Sequence, residues 1–207
     1  MNKITINTHS SICINDDIYF DPYNIAEKKK NAKAIFITHS HYDHLDIPSI
    51  HNLFNSDTVI VAPEDCISTL REEGFLDENL KQASPNQTSV VYDVSFNTFA
   101  SYNIGKRFHP KLNNWVGYTV NINGVLYTVC GDSDLTEELK NIKTDVLFVP
   151  IGGTYTMDIK EGATLTNTIK PKVAIPVHYG SIVGKITDGE RFAKLIDKNI
   201  TVNILIK

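Results

Sequence analysis

Three imidazoles and one carboxylate fall within six residues in His39-Ser40-His41-Tyr42-Asp43-His44. Imidazole nitrogen and carboxylate oxygen are the donors that zinc and similar divalent ions prefer. The run follows Ala34-Ile35-Phe36-Ile37, an apolar stretch that reads as a buried strand, so the donors occupy a loop at its carboxyl end. Alternate residues point in opposite directions, so His39 and His41 can face one ion while Asp43 and His44 turn toward a second. A histidine-rich surface loop is the alternative, and four potential ligands in six positions speak against it. One loop cannot complete two coordination spheres, so further ligands are expected at other strand ends. Asp132 follows the apolar run Leu126–Cys130 and Gly131, and His178 follows Val173–Val177. Taken alone, Asp132 reads as a turn or helix cap and His178 as an ordinary core or surface histidine. His109, in Phe108-His109-Pro110-Lys111, is the sole histidine between His51 and His178. His9 and His51 lack such a setting and read as structural or solvent-facing.

The elements that must position these groups alternate between strand and helix. Lys3–Asn7, Ser11–Ile14 and Asp17–Phe20 are short strands, followed by Ala34–Thr38 and Thr58–Ala62. A helix begins after Asp46, with Pro48 in its first turn and Ile47, Ile50, Leu53 and Phe54 at helical spacing. Another helix runs from Pro63 to about Glu73, with Gly74 as its stop. Val90–Phe99 holds one or two strands broken near Asp93. Val116–Ile122 and Val125–Val129 flank Asn123-Gly124, the pair that a type I′ hairpin turn demands. Asp134 to Lys140 reads as a short helix, Val146–Val149 as a buried strand and Asp158 to Ile169 as a helix stopped by Pro171. Val173–Pro176 is a strand, Asp188 to Lys198 a helix and Ile200–Ile206 a final strand. No linker or charge block divides the chain, so residues 1–207 are expected to form a single domain. Its class is α/β, with two sheets packed together and helices outside.

The His-X-His-X-Asp-His pattern resembles the metallo-β-lactamase superfamily of binuclear metal hydrolases. That resemblance implies a four-layer αββα sandwich of two mixed sheets. Carried over position by position, it gives His39, His41 and His109 to one ion, Asp43, His44 and His178 to a second, and Asp132 as the bridge. Related small members place the third histidine nearer to Ser101-Tyr102-Asn103, in which case His109 contacts substrate instead. Asp21, in Tyr19-Phe20-Asp21-Pro22, matches an acidic residue that orients the ligand loop, although an Asp-Pro turn explains it equally well. Two ions ~3.5–4 Å apart share a water and lower its pKa from ~15.7 toward neutrality, and Asp43 orients that water or accepts its proton. The segment Phe148–Asp158 resembles the small branch related to ascorbate-6-phosphate lactonase. There Gly152 and Gly153 allow close backbone approach, amides at the following helix start can receive an anion, and Lys111 can receive a phosphate or carboxylate.

Composition narrows the field. The 207 residues carry 20 basic and 24 acidic side chains, a net charge of −4, so no broad basic surface suggests nucleic acid as a partner. No apolar run approaches the ~20 residues of a membrane span, and the N-terminus lacks a signal-peptide core. Cys13, Cys66 and Cys130 are odd in number and widely spaced, which points to free thiols and a cytoplasmic location. Two functions follow from different classes. One is a metal-dependent hydrolase of a small ester, lactone or phosphodiester; the other is a non-catalytic metal-binding or sensing protein on the same fold. The donors suit zinc first, and also manganese, iron or nickel. The edge of Ile200–Ile206 leaves a homo-oligomer open.

Overall fold

Short β-branched runs separated by turn residues build a six-stranded sheet from the chain up to Ser84. The structure is a computed structural model and describes residues 2–206. Its strands β1 (Ile4–Ile6), β2 (Ile12–Ile14), β3 (Ile18–Phe20), β4 (Ala34–Phe36), β5 (Val59–Ala62) and β6 (Leu80–Gln82) lie side by side in chain order. The first two pairings are antiparallel and the last three parallel. Helices α1 (Ile47–Leu53) and α2 (Glu64–Glu72) supply two of the three parallel crossovers, and residues 21–33 make the β3–β4 crossover without a helix. The two helices bury Ile50, Leu53, Ile67 and Leu70 with Ile35, Ile37, Ile60 and Ala62 in one core. Each of these leucines and isoleucines stabilises the fold by roughly 1.5–3 kcal/mol on burial. Strand β6 was not anticipated, because Leu80-Lys81-Gln82 holds one apolar residue and no alternation.

The chain from Pro85 onward forms a second compact unit around a seven-stranded sheet. Its strands are β7 (Thr88–Val91), β8 (Val94–Ala100), β9 (Val116–Ile122), β10 (Val125–Val129), β11 (Val146–Pro150), β12 (Val173–Val177) and β13 (Thr201–Val202). They lie in the order β13-β12-β11-β10-β9-β8-β7. Strands β10 to β13 are parallel, and β7 to β10 form an antiparallel meander. The β9–β10 turn has Asn123 at φ 54° and Gly124 at φ 79°, the left-handed pair that a type I′ turn requires. Helices α3 (Glu137–Lys140), α4 (Ile159–Ile169) and α5 (Asp188–Ala193) complete the unit. Ala163, Leu165 and Phe192 pack into a core with Leu147, Val149 and Ala174. Two mixed sheets with interleaved helices are the α/β class that the sequence implied.

Several elements lose a residue or two at their ends, and three fall short of their sequence patterns by three residues or more, each for a local reason. The final strand covers Thr201–Val202 rather than Ile200–Ile206. Thr201 N donates to Lys172 O and Asn203 N to Ala174 O, and the next bond of that ladder would need an N–H from Pro176, which has none. Helix α5 stops at Ala193 rather than Lys198, because the Asn167 side chain captures Leu195 O and Asp197 N, each at 2.9 Å. Helix α3 starts at Glu137 rather than Asp134, with Thr136 as its cap, since the Asp134 carboxylate is used elsewhere.

A Cβ at Gly117 of β9 would stand 2.2 Å from the Phe99 ring and 2.9 Å from Cys130 O. Gly117→Ala must therefore push apart β8 and the end of β10. Overpacking of this kind costs about 1–3 kcal/mol, a loss that urea denaturation should detect.

Candidate metal centre

In the first unit, β3 and β4 are parallel, and Phe20 is level with Phe36, so both strands deliver the following residues to the same sheet edge. Asp21 sits there, fully buried, with φ 43° and its own N–H on Phe36 O. Its carboxylate accepts from Thr38 N at 2.7 Å, Thr38 Oγ1 at 2.7 Å and His44 Nδ1 at 2.8 Å. Because the Thr38 hydroxyl gives its proton to Asp21, its oxygen accepts from His39 Nδ1 at 2.9 Å. The network thus assigns the Nδ1–H tautomer to both His39 and His44, and each keeps its lone pair on Nε2. The His41 ring stands 4.8 Å from that of His39 in edge-to-face contact. Asp43 places Oδ2 3.7 Å from His44 Nε2. A lone pair facing a carboxylate oxygen is repulsive unless a cation lies between them.

His9 joins this group, which its sequence context did not suggest. It is fully buried in the turn between β1 and β2, at φ 54°, with Nε2 3.2 Å from Asp43 Oδ2. No other ligand-type residue neighbours it in Thr8-His9-Ser10, so the sequence carried no signal beyond a histidine in a tight turn.

In the second unit, β10, β11 and β12 run parallel and end at one sheet edge, the side on which α/β sheets bind their ligands. Asp132 follows β10, Gly152 and Gly153 follow β11, and His178 follows β12. The loop carrying His109 joins β8 to β9 at the same edge, since Ala100 pairs with Val116 and Val129 with Tyr118. Asp132 Oδ2 lies 2.8 Å from His178 Nε2 and 3.3 Å from His109 Nε2, with all three residues buried. His109 Nδ1 donates to Asn103 Oδ1 at 2.9 Å, so its Nε2 lone pair also faces a carboxylate oxygen. Donors ~2.0–2.2 Å from one tetrahedral ion stand roughly 3.3–3.6 Å apart, a spacing that the 3.3 Å between Asp132 Oδ2 and His109 Nε2 matches, whereas the 2.8 Å to His178 Nε2 is shorter, as in a direct contact. The donor set in each unit fits a divalent metal ion.

The remaining sequence candidates have other immediate partners. A Cβ at Gly152 would come within 2.4 Å of His178 O and 3.0 Å of its Nδ1, so the glycine lets the β11 loop close onto that histidine. Gly153, at φ 82°, turns the chain and donates to Met157 O. The helix-start amides anticipated as an anion site are taken. Asp158 accepts from Lys160 N and Glu161 N in a capping box. The Lys111 ammonium lies 2.7 Å from Glu138 Oε1 and 4.4 Å from the Tyr102 ring centre. That pairing raises the Lys111 pKa and lowers that of Glu138. His51 stacks on Phe75, 4.7 Å between ring centres, away from any ligand group of its unit.

The family described as the beta-lactamase superfamily domain matches residues 2–179. The chain belongs to the metallo-β-lactamase superfamily. A UPF0173 metal-dependent hydrolase of Pyrococcus furiosus is 28% identical over 99% of this superfamily member and 96% of its own length. A candidate metal-dependent hydrolase from Parabacteroides distasonis superimposes with a TM-score of 0.82 at 26% identity, covering 100% of this chain and 94% of its own. The metallohydrolase Igni18 of Ignicoccus hospitalis shares the fold, with a TM-score of 0.78 at 20% identity over 99% of this chain and 95% of its own. The chain is thus a metal-dependent hydrolase carrying a histidine/aspartate site, and the fold class implied by the ligand loop is that of the superfamily.

Asp21 tests the tautomer argument. Asp21→Asn puts an amide donor against Thr38 N or against Thr38 Oγ1 and His44 Nδ1, so at least one of the three donors that hold the ligand loop loses its acceptor. Metal affinity should fall ~10–100-fold by calorimetric titration, the usual cost of an outer-sphere change. Unchanged affinity would show that Asp21 does not set the ligands.

Proposed function

We propose that the chain is a binuclear metal-dependent hydrolase of a small ester, lactone or phosphodiester. On the ligand set that the family resemblance implies, His39, His41 and His109 would hold one ion, Asp43, His44 and His178 the other, and Asp132 would serve both. The carrying observation is the repeated arrangement described above: imidazoles with the Nδ1 proton already donated present Nε2 toward a carboxylate oxygen. Bound together, two divalent ions supply Lewis acidity and bring the pKa of a water from ~15.7 to near 7.

The chain's own residues supply the rest. Asp43 orients the attacking water or takes its proton, with His9 Nε2 3.2 Å from its Oδ2. Asp21, through Thr38 and His44, keeps the ligand loop in the binding tautomer. Gly152 and Gly153 line a cavity of ≈ 250 Å³ together with Asp158, Lys160, Asp188 and Arg191. Lys111 receives a substrate anion only by releasing Glu138. The donor set accepts zinc first and also manganese, iron or nickel. The three free cysteines Cys13, Cys66 and Cys130 support the reading of a reducing, cytoplasmic setting. No helix among the described residues is long and apolar enough to cross a membrane.

Protein purified without chelating resin should contain two metal equivalents by elemental analysis. It should turn over a member of a panel of lactones, thioesters and bis(p-nitrophenyl) phosphate, and chelation should abolish this. His41→Ala should lose more than the roughly 10–100-fold typical of an outer-sphere change. No metal-dependent turnover in any class, with His41→Ala indistinguishable from wild type, rejects the reading.

A further inference from the structure

We propose that Asn103, Asp134 and Lys106 form a positioning device that fixes the tautomer of His109. The proposal rests on the reading of His109 as a metal ligand. Asn103 faces the histidine twice: its backbone N–H donates to His109 O at 2.8 Å, and its Oδ1 accepts from His109 Nδ1 at 2.9 Å. An amide can rotate by half a turn with little change in shape, and the other orientation would offer NH₂ to Nδ1. The ring would then need its lone pair at Nδ1 and its proton at Nε2, the tautomer that cannot bind a metal through Nε2.

Asp134 opposes that rotation. The Asn103 Nδ2 donates to Tyr155 O at 2.8 Å and to Asp134 Oδ1 at 3.3 Å. After rotation, Asn103 Oδ1 would face a carbonyl and a carboxylate oxygen, three acceptors with no proton among them. Leaving buried polar groups unsatisfied in this way costs about 1–3 kcal/mol each, and more beside a charge. The chain spends a buried carboxylate on this role: Asp134 is 4% exposed and does not cap α3. Such a charge is retained only when closely paired. Ile104 N donates to its Oδ2 at 2.7 Å, and the Lys106 ammonium lies 2.6 Å from its Oδ1. Lys106 also donates to Thr156 O at 2.7 Å and Gly153 O at 3.4 Å, tying the His109 loop to the segment after β11. Lys106 is therefore an internal tie rather than a substrate cation.

The test combines ¹⁵N NMR of the imidazoles with cobalt(II) binding, which reports ligand geometry through its visible absorption. Wild type should show His109, assigned by comparison with His109→Ala, as the Nδ1–H tautomer. Asp134→Asn and Asn103→Leu should populate the Nε2–H form, alter the cobalt spectrum and weaken cobalt binding ~10–100-fold. Lys106→Met should act in the same direction and Lys106→Arg should restore wild-type behaviour. If Asp134→Asn fails to fold, Lys106→Met and Asn103→Leu carry the test. Variants that lower only the melting temperature, keeping the Nδ1–H tautomer and the wild-type spectrum, overturn the proposal; His109→Ala losing cobalt then leaves the metal assignment standing. If His109→Ala itself binds cobalt as wild type does, the assignment of His109 fails and the proposal with it.

Discussion

An imidazole binds a metal through one lone pair, so its other nitrogen must give a proton to an acceptor that does not move. The rest of the site depends on this constraint. In the first unit it is met by one buried carboxylate, Asp21, which serves His44 directly and His39 through the Thr38 hydroxyl. In the second unit a neutral amide, Asn103, serves His109. The choice of acceptor has consequences. A carboxylate accepts from every direction and needs only to be held, whereas an amide has a donor end that must be turned away. The second unit accordingly carries additional polar groups around its acceptor.

The parallel strands make that precision possible. Where β3 and β4, or β10, β11 and β12, run side by side in register, residues just past their ends emerge within a few ångströms of each other. Their backbones are held by ladders buried under α1 and α2 in one unit and α4 in the other. Asp21 and His178, each one residue beyond such a strand, inherit its rigidity, and His39 and Asp132 follow three residues beyond theirs. His109 lacks that advantage, because it lies nine residues beyond the last residue of β8, Ala100, in a loop with one short 3₁₀ turn. The polar ties from Asn103 and Lys106 do for this loop what strand hydrogen bonds do for His178.

The legible parts of the sequence are those in which local pattern and global role coincide. The ligand loop, the Asn123-Gly124 hairpin, the strands before Asp132 and His178 and the helix after Pro63 all announce themselves over a few residues. What stayed hidden depends on partners distant in the chain. His9 meets Asp43 across 34 positions of sequence, and its own neighbours are an ordinary turn. Asp134 reads as the start of a short helix until its carboxylate is found on Ile104, Asn103 and Lys106, about 30 residues earlier. The end of β13 depends on a missing N–H in the neighbouring strand, so the apolar pattern of Ile200–Ile206 could not reveal it.

Backbone strain separates the site from the ordinary turns. Most of the non-glycine residues with positive φ are asparagines, lysines or an aspartate in surface turns, where Asn and Asp adopt the left-handed region at little cost. His9, Asp21 and His178 differ, since all three are buried and all lie among the ligands or their immediate supports. Such a conformation costs of order 1–3 kcal/mol each and persists only where the surroundings over-determine it. For Asp21 those surroundings are its own N–H on Phe36 and three donors on its carboxylate. For His178 they include the close approach of Gly152, which no larger residue permits. A regular strand would have carried Asp21 and His178 onward in the direction of β3 and β12. The left-handed turn instead swings each side chain back across the strand end, where it can reach a neighbour that the ladder alone would not bring within hydrogen-bonding distance.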